Sequence, residues 1–293
     1  MRITTTLPAR PDGVPDIAMA RHLEQLGYDA AGTSDLLLGE GTPGFDAPLV
    51  LAAAASATQR IGLEFGVLTL PLRPTAWVAA QVQTLQHLSG GRVILGVGIG
   101  GFPGTPFWRA VGAPERDRGR WTDKALQALP GLIRGEPTEV SGQVVTLGPP
   151  TTVPPIFVGG NSEAAMRRAV RYGDGWAPSL ISPGELARKA ARLREIAGEL
   201  DRPVPAISVG GHAILTDDPA AVDAFVKTLV EVHRMPAQEA ARIPVTGNAA
   251  QAAEHLAAYA EAGANAVGLA LDGEDWMRQA ETLAEARTLL GTP

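Results

Sequence analysis

Short apolar runs recur along the chain, each followed by a longer stretch with helical spacing. Residues 2–7 are β-branched and extended in character, 8–15 read as a loop, and an apolar helical pattern over 17–26 stops at Gly27. Strand signals return at 30–34, 61–69 and 93–97, with predicted helices over 47–57 and 75–88 between them. These first four strands are nearly continuous apolar runs, as expected where helices cover one face and packed side chains the other. A break over 101–114 carries Phe102, Phe107 and Trp108 and precedes a predicted helix over 115–133, while 138–147 alternates around Ser141-Gly142 and predicts a small hairpin. Strands are then expected at 156–158, 175–178, 206–215 and 266–271, with helices ending near 171 and spanning 183–200, 219–232, 248–262 and 275–290.

This alternation, without a composition break or linker, predicts an α/β fold: one (β/α)8 TIM barrel over 1–293, with a short insertion after strand four. The insertion, about 101–150, comprises a lid loop, a helix and the hairpin. A competing reading rests on LSGGRVILGVGIGG, residues 88–101, where Gly96, Gly98 and Gly101 spell the G-x-G-x-x-G of a dinucleotide turn. That motif falls on the fourth unit instead of the first, and the acidic positions beyond it, Glu115 and Asp117, precede a helix instead of ending a strand. The barrel reading prevails.

Composition narrows the function. With 293 residues and 45% hydrophobic content the chain can build a large core, and its net charge of −6 without a Lys/Arg run argues against nucleic acid. There are no cysteines, which excludes disulfides, thiolate metal sites and a cysteine nucleophile. No run reaches the roughly 18 apolar residues of a membrane span, and a cytoplasmic location is expected. No histidine spacing suits a metal site.

In a (β/α)8 barrel the working groups lie at the C-terminal ends of the strands. Those ends read Thr33-Ser34-Asp35, Gly66-Val67-Leu68-Thr69, Gly98-Ile99-Gly100-Gly101, Gly159-Gly160-Asn161-Ser162, Trp176-Ala177-Pro178-Ser179 and Gly211-His212. So small a rim leaves an apolar space with exposed backbone amides, which suits a large planar ring. Gly159, Gly160, Asn161 and Ser162 precede a helix and form either an anion site or an ordinary helix cap. Asp35 either orients a ligand or relays a proton, or holds its own loop. His22, His87 and His255 fall within predicted helices and His233 at a helix end, whereas His212, after two glycines near the end of strand seven, is a candidate acid or base. Trp108 and Trp176 are candidates for walling a pocket.

Several motifs in order, Gly27-Tyr28-Asp29, Ser34-Asp35, TQRIGLEFGVLTLPLRPT, LSGGRVILGVGIGG, Arg118-Gly119-Arg120 and PPIFVGGNSEAAMRRAVRYGDGWAPS, resemble the luciferase-like flavin and deazaflavin oxidoreductases over about residues 14–200. The resemblance is strongest to the actinobacterial group that uses coenzyme F420, with FMN as the alternative cofactor. It implies an oxidoreductase acting on a small molecule as a homodimer, with hydride transfer or flavin-dependent monooxygenation as its chemistry. It also implies a non-prolyl cis peptide at Gly66–Val67 supporting the ring's face, cofactor phosphate near Gly159, Gly160, Asn161 and Ser162, and Gly98, Ile99 and Gly100 beside the ring. The chain departs from many F420-using relatives at Ser34-Asp35-Leu36, where they carry a histidine after Ser-Asp. That departure leaves open a non-catalytic flavin-binding or interaction protein.

Overall fold

The computed structural model describes residues 1–293 apart from 11, 42, 217, 218, 234, 274, 292 and 293. In chain order the first half runs β1 (Arg2–Thr6), α1 (Ala18–Gln25), β2 (Ala30–Thr33), α2 (Ala47–Ala57), β3 (Gly62–Thr69), α3 (Thr75–Ser89), β4 (Val93–Gly98), α4 (Pro106–Ala110), α5 (Arg118–Ile133), β5 (Thr138–Val140) and β6 (Gln143–Val145). The second half runs β7 (Ile156–Gly159), α6 (Glu163–Tyr172), β8 (Gly175–Ala177), α7 (Pro183–Glu199), β9 (Ala206–Ile214), α8 (Pro219–His233), α9 (Ala237–Ala240), β10 (Val245–Thr246), α10 (Ala249–Glu261), β11 (Ala266–Leu271) and α11 (Trp276–Leu289).

Parallel pairing proceeds β1-β2-β3-β4-β7-β8 on one side and β1-β11-β9 on the other, and the β8–β9 pair closes the ring. The result is the expected eight-stranded barrel with helices between its strands. Between β4 and β7 the chain adds α4 and the β5–β6 hairpin, while α5, packed against α3 and α6, takes the place of the barrel helix. The predicted helix over 115–133 begins at Arg118, and the Pro106 signal inside the aromatic break starts the separate turn of α4. Two elements were not expected from the sequence: the single turn of α9 and β10, which joins the end of β9 beyond the stretch paired with β8. Segments this short carry no period to read.

Local chemistry explains the joins. Gly27 takes φ +80° past the end of α1, and the Tyr28 N–H donates back to Leu23 O at 3.0 Å. The Glu24 carboxylate then receives the N–H groups of Gln59, Arg60 and Ile61 at 2.9, 2.5 and 3.0 Å, tying α1 to the turn that feeds β3. Alternation sorts the strands: Leu63 and Phe65 are fully buried in the main apolar core, whereas Glu64 and Gly66 of the same strand face the barrel's interior space. A small separate cluster, Leu229, Ala240 and Ile243, holds α8 against α9. Among the described residues no helix is long and apolar enough to cross a membrane.

Candidate active site

A cavity of about 510 Å³ opens at the C-terminal ends of the barrel strands, a size suited to a small molecule or a ring cofactor. Its wall includes Ser34, Asp35, Gly66, Val67, Gly98, Ile99, Gly100, Gly159 and Gly160, so these predicted positions come together on one surface. The peptide between Gly66 and Val67 is cis, and the β3–β4 register shifts between Phe65 and Leu68. Gly66 is solvent-accessible within a central strand, and a Cβ built on it would meet only Thr33 O at 4.0 Å. The strand therefore presents bare backbone to the cavity at this point, a flat surface that a planar ring can cover.

The neighbouring glycines make room chiefly for protein. A Cβ on Gly98 would lie 2.8 Å from Val67 Cγ2, and one on Gly159 would lie 3.3 Å from Val67 Cγ1. Gly96 faces the Phe65 carbonyl, which a Cβ would approach to 2.0 Å. Gly100, at φ +80°, abuts Trp108 and Thr69 at 2.6 and 2.8 Å from its would-be Cβ. The glycines thus seat the Val67 and Trp108 side chains as well as lining the cavity. Trp108 is on the wall, 3% exposed, with its Nε1–H donating to Pro114 O at 3.1 Å. Arg118 closes the same corner, donating to Gly100 O.

Asp35 is committed. Its carboxylate receives Arg73 Nη1 and Nη2 at 2.6 and 2.8 Å and the Thr69 N–H at 3.0 Å. Arg73 Nη2 also reaches Asp46 at 2.9 Å, and Asp46 caps α2 by accepting from the Leu49 N–H. The ion pairs clamp the loop after β2 to the end of β3, with the Asp35 side chain wholly buried. Composition and spacing gave no sign of Arg73; only its place in the loop just past β3 could have drawn attention to it.

Asn161, Ser162, Trp176 and His212 lie off the cavity wall. Ser162 caps α6 by accepting from Ala165 N–H, and Asn161 exchanges side-chain hydrogen bonds with the Ser179 backbone at 2.7 and 3.0 Å. Lys189 Nζ donates to Asn161 O at 2.9 Å, placing a cation beside the start of α6. Trp176 is 0% exposed and donates its Nε1–H to Gly160 O at 2.8 Å, bracing that glycine from the core. His212 Nδ1 pairs with Asp272 Oδ2 at 2.5 Å, and Phe225 lies beside the imidazole with ring centroids 4.7 Å apart. His212 shares its strand face with Ser208 and Gly210, both on the wall, and so sits one step nearer the rim.

The other histidines have separate surroundings. His87 meets Pro149 O, and His255 stacks on Tyr259 with burial lowering its pKa; the His233 side chain lies outside the described residues. Among the described residues no group of His, Asp and Glu is arranged to hold a metal ion. Sequence reading passed over Glu64, the second titratable residue on the cavity wall. Its signal was a carboxylate inside an apolar strand, in phase with Gly66.

Known proteins share this architecture. The structure of an F420-dependent secondary alcohol dehydrogenase in complex with an F420–acetone adduct aligns with a TM-score of 0.80 over 99% of this chain and 98% of that one, at 17% identity. The FMN-bound oxygenating constituent of 3,6-diketocamphane monooxygenase from Pseudomonas putida aligns with a TM-score of 0.74 over 98% and 96%, also at 17% identity. In sequence, an uncharacterized protein of Mycobacterium tuberculosis is 35% identical over 185 residues, 60% of this chain and 63% of that protein. The match therefore spans less than two thirds of that relative's length. The luciferase-like monooxygenase family profile matches residues 9–293. Nearly the whole chain is covered, and the chain belongs to the luciferase-like monooxygenase family.

Proposed function

We propose that this chain is an oxidoreductase that moves hydride between coenzyme F420 and a small organic substrate at the barrel mouth. The observation that carries the reading is the bare backbone patch at Gly66 on the wall of a cavity of about 510 Å³. The deazaflavin, when bound, supplies the hydride chemistry, and the chain supplies position and shelter. Gly66 and Val67 would back one face of the ring, with Ile99 and Gly100 along its border. The first turn of α6, with Gly160, Asn161, Ser162 and the Lys189 ammonium, would take a phosphate. Leu36, Leu37, Leu38 and Phe102 line the opening and would exclude water. Asp35, spent on Arg73, positions the loop that carries Ser34. His212, its Nδ1 fixed by Asp272, would handle a proton through Nε2 at the rim.

The test is direct binding of F420 and FMN to the purified protein by fluorescence and calorimetry. Saturable binding of F420, with FMN much weaker, is expected; the reverse preference replaces this reading with the second one, and binding of neither refutes both. In the same experiment H212A should leave cofactor affinity unchanged while lowering turnover. The second reading is an FMN-dependent monooxygenase, and the apolar opening with Leu36 in place of a histidine favours it, since that chemistry needs shelter from water more than an acid at that position.

A further inference from the structure

The floor of the cavity carries a carboxyl that the proposed chemistry leaves unused. Glu64 and Asp35 are the titratable residues on the cavity wall, and they differ in their surroundings. Asp35 is held by a guanidinium in bidentate contact, whereas Glu64 forms no ion pair among the described residues. Glu64 precedes Gly66 by two positions on β3, so both project into the barrel interior, and the strand rise places Glu64 roughly 6.6 Å deeper. Space around it is kept by small neighbours. A Cβ on Gly32, its register partner on β2, would come within 3.1 Å of Glu64 O and 3.5 Å of Glu64 Cβ. Across the floor a Cβ on Gly268 would press to 2.8 Å on Thr4 Oγ1, and Thr4 and Ser208 also line the cavity. Glu64, Thr4 and Ser208 together make the floor polar.

We propose that the Glu64 carboxyl recognises the carbonyl–N–H–carbonyl edge of the ring whose face lies on Gly66–Val67. This rests on the reading of the cavity as a flavin or deazaflavin site. The chemistry is specific. A neutral carboxyl group offers one O–H donor and one carbonyl acceptor side by side, the complement of an imide edge, which offers one acceptor beside one N–H donor. A carboxylate could only accept, and would oppose the imide carbonyl. Burial pushes the Glu64 carboxyl above its ordinary range, and that desolvation outweighs the opposing influence of the Thr4 hydroxyl and the Arg2 guanidinium. Arg2 lies beyond Phe157, with its guanidinium carbon 5.8 Å from that ring's centroid. Burial thus favours the neutral form of the group that faces the cavity. Depth fits as well: a tricyclic ring standing against the Gly66 patch with its imide edge downward would bring that edge to the floor.

The experiment compares dissociation constants of F420 and FMN for the wild-type protein, Glu64→Gln and Glu64→Leu, with thermal melting as the check on folding. It adds the N3-methylated form of whichever ring binds. Glutamine keeps one donor and one acceptor without charge, so E64Q should bind within about threefold of wild type, while E64L, losing two buried hydrogen bonds, should bind about 10- to 100-fold more weakly. The N3-methyl ring should lose a similar factor on wild type and little on E64L. Unchanged binding by a folded E64L overturns the proposal and leaves the cofactor reading standing. An E64Q as weak as E64L also overturns it, because the group would then act as a charge. If E64L does not fold, the N3-methyl comparison on wild type and E64Q decides: a methylated ring that binds wild type as well as the parent ring refutes the contact. Absence of binding of both cofactors to wild type refutes the cofactor reading and this inference together.

Discussion

The contact between Gly98 and Val67 makes the most specific demand on the site. A Cβ at position 98 would lie 2.8 Å from Val67 Cγ2, against an ordinary carbon–carbon contact of about 3.5–4.0 Å. The overlap of roughly 0.7–1.2 Å must be relieved by moving Val67. Overpacking of this kind costs about 1–3 kcal/mol. Gly98→Ala is therefore expected to destabilise the fold by that amount in urea unfolding. On the proposed reading it should also weaken ring binding, because Val67 would back one face of the ring. Val67→Ala removes both γ-methyls and the clash with them, so the double variant should be more stable than the sum of the single effects by about 1–3 kcal/mol. Gly96→Ala is the control. Its Cβ would come within 2.0 Å of the Phe65 carbonyl, which is backbone, so Val67→Ala should not rescue it. A G98A protein within about 0.5 kcal/mol of wild type, or a Val67→Ala background that leaves the G98A cost unchanged, would refute the reasoning.

Further predictions concern the clamps and the surface. Asp35→Ala removes the bidentate partner of the buried Arg73 guanidinium and leaves it Asp46 alone, which should cost about 3 kcal/mol in urea unfolding, whereas Asp35→Leu combined with Arg73→Met should recover much of the loss; equal costs for the single and double variants would sink the ion-pair account. Although burial raises the Glu24 carboxyl, the N–H groups of Ile61, Arg60 and Gln59 prevail and hold it at about 2, below the ordinary glutamate value of 4.5. Its contribution to stability is therefore present above 4.5 and lost as pH falls toward about 2, so the stability gap between wild type and Glu24→Ala should close over that interval; a gap constant in pH would contradict this. On the neighbouring helices α2 and α3, Leu49 and Trp77 are 71% and 63% exposed, and the homodimer implied by family resemblance would cover them. Sedimentation should then find a wild-type dimer and a monomeric Leu49→Glu/Trp77→Glu variant, and a monomeric wild type removes the idea.

The barrel was legible because its eight strands are short apolar runs and the long helices between them carry their own period. Residues such as Leu63 and Phe65, or Ala165, Met166 and Ala169 on α6, announce their buried faces without knowledge of their neighbours. The strand ends were legible for a related reason: position at the end of an apolar run suffices to place Gly66, Gly98 and Gly159 on one rim. Partnerships were not legible. Asp35 and Arg73 stand 38 positions apart, and His212 and Asp272 stand 60 apart, so no local pattern joins them. The same limit applies to the glycines, whose spacing could announce open space without saying which side chain would fill it.

Glu64 shows where that limit falls for function. A carboxylate in an apolar strand conflicts with local preference, since burying its charge without a partner is costly. Two physical outcomes resolve such a conflict: an ion pair formed across the fold, or a group held neutral. Asp35 takes the first through Arg73, and its carboxylate is thereby removed from the chemistry of the cavity. At Glu64, between Gly32 and Thr4 on the floor, burial favours the second. Which carboxyl is spent on the fold and which is left for a ligand depends on the tertiary neighbours of each. The residue that breaks the strand pattern is accordingly the better functional candidate than the one that sits in the more familiar loop position.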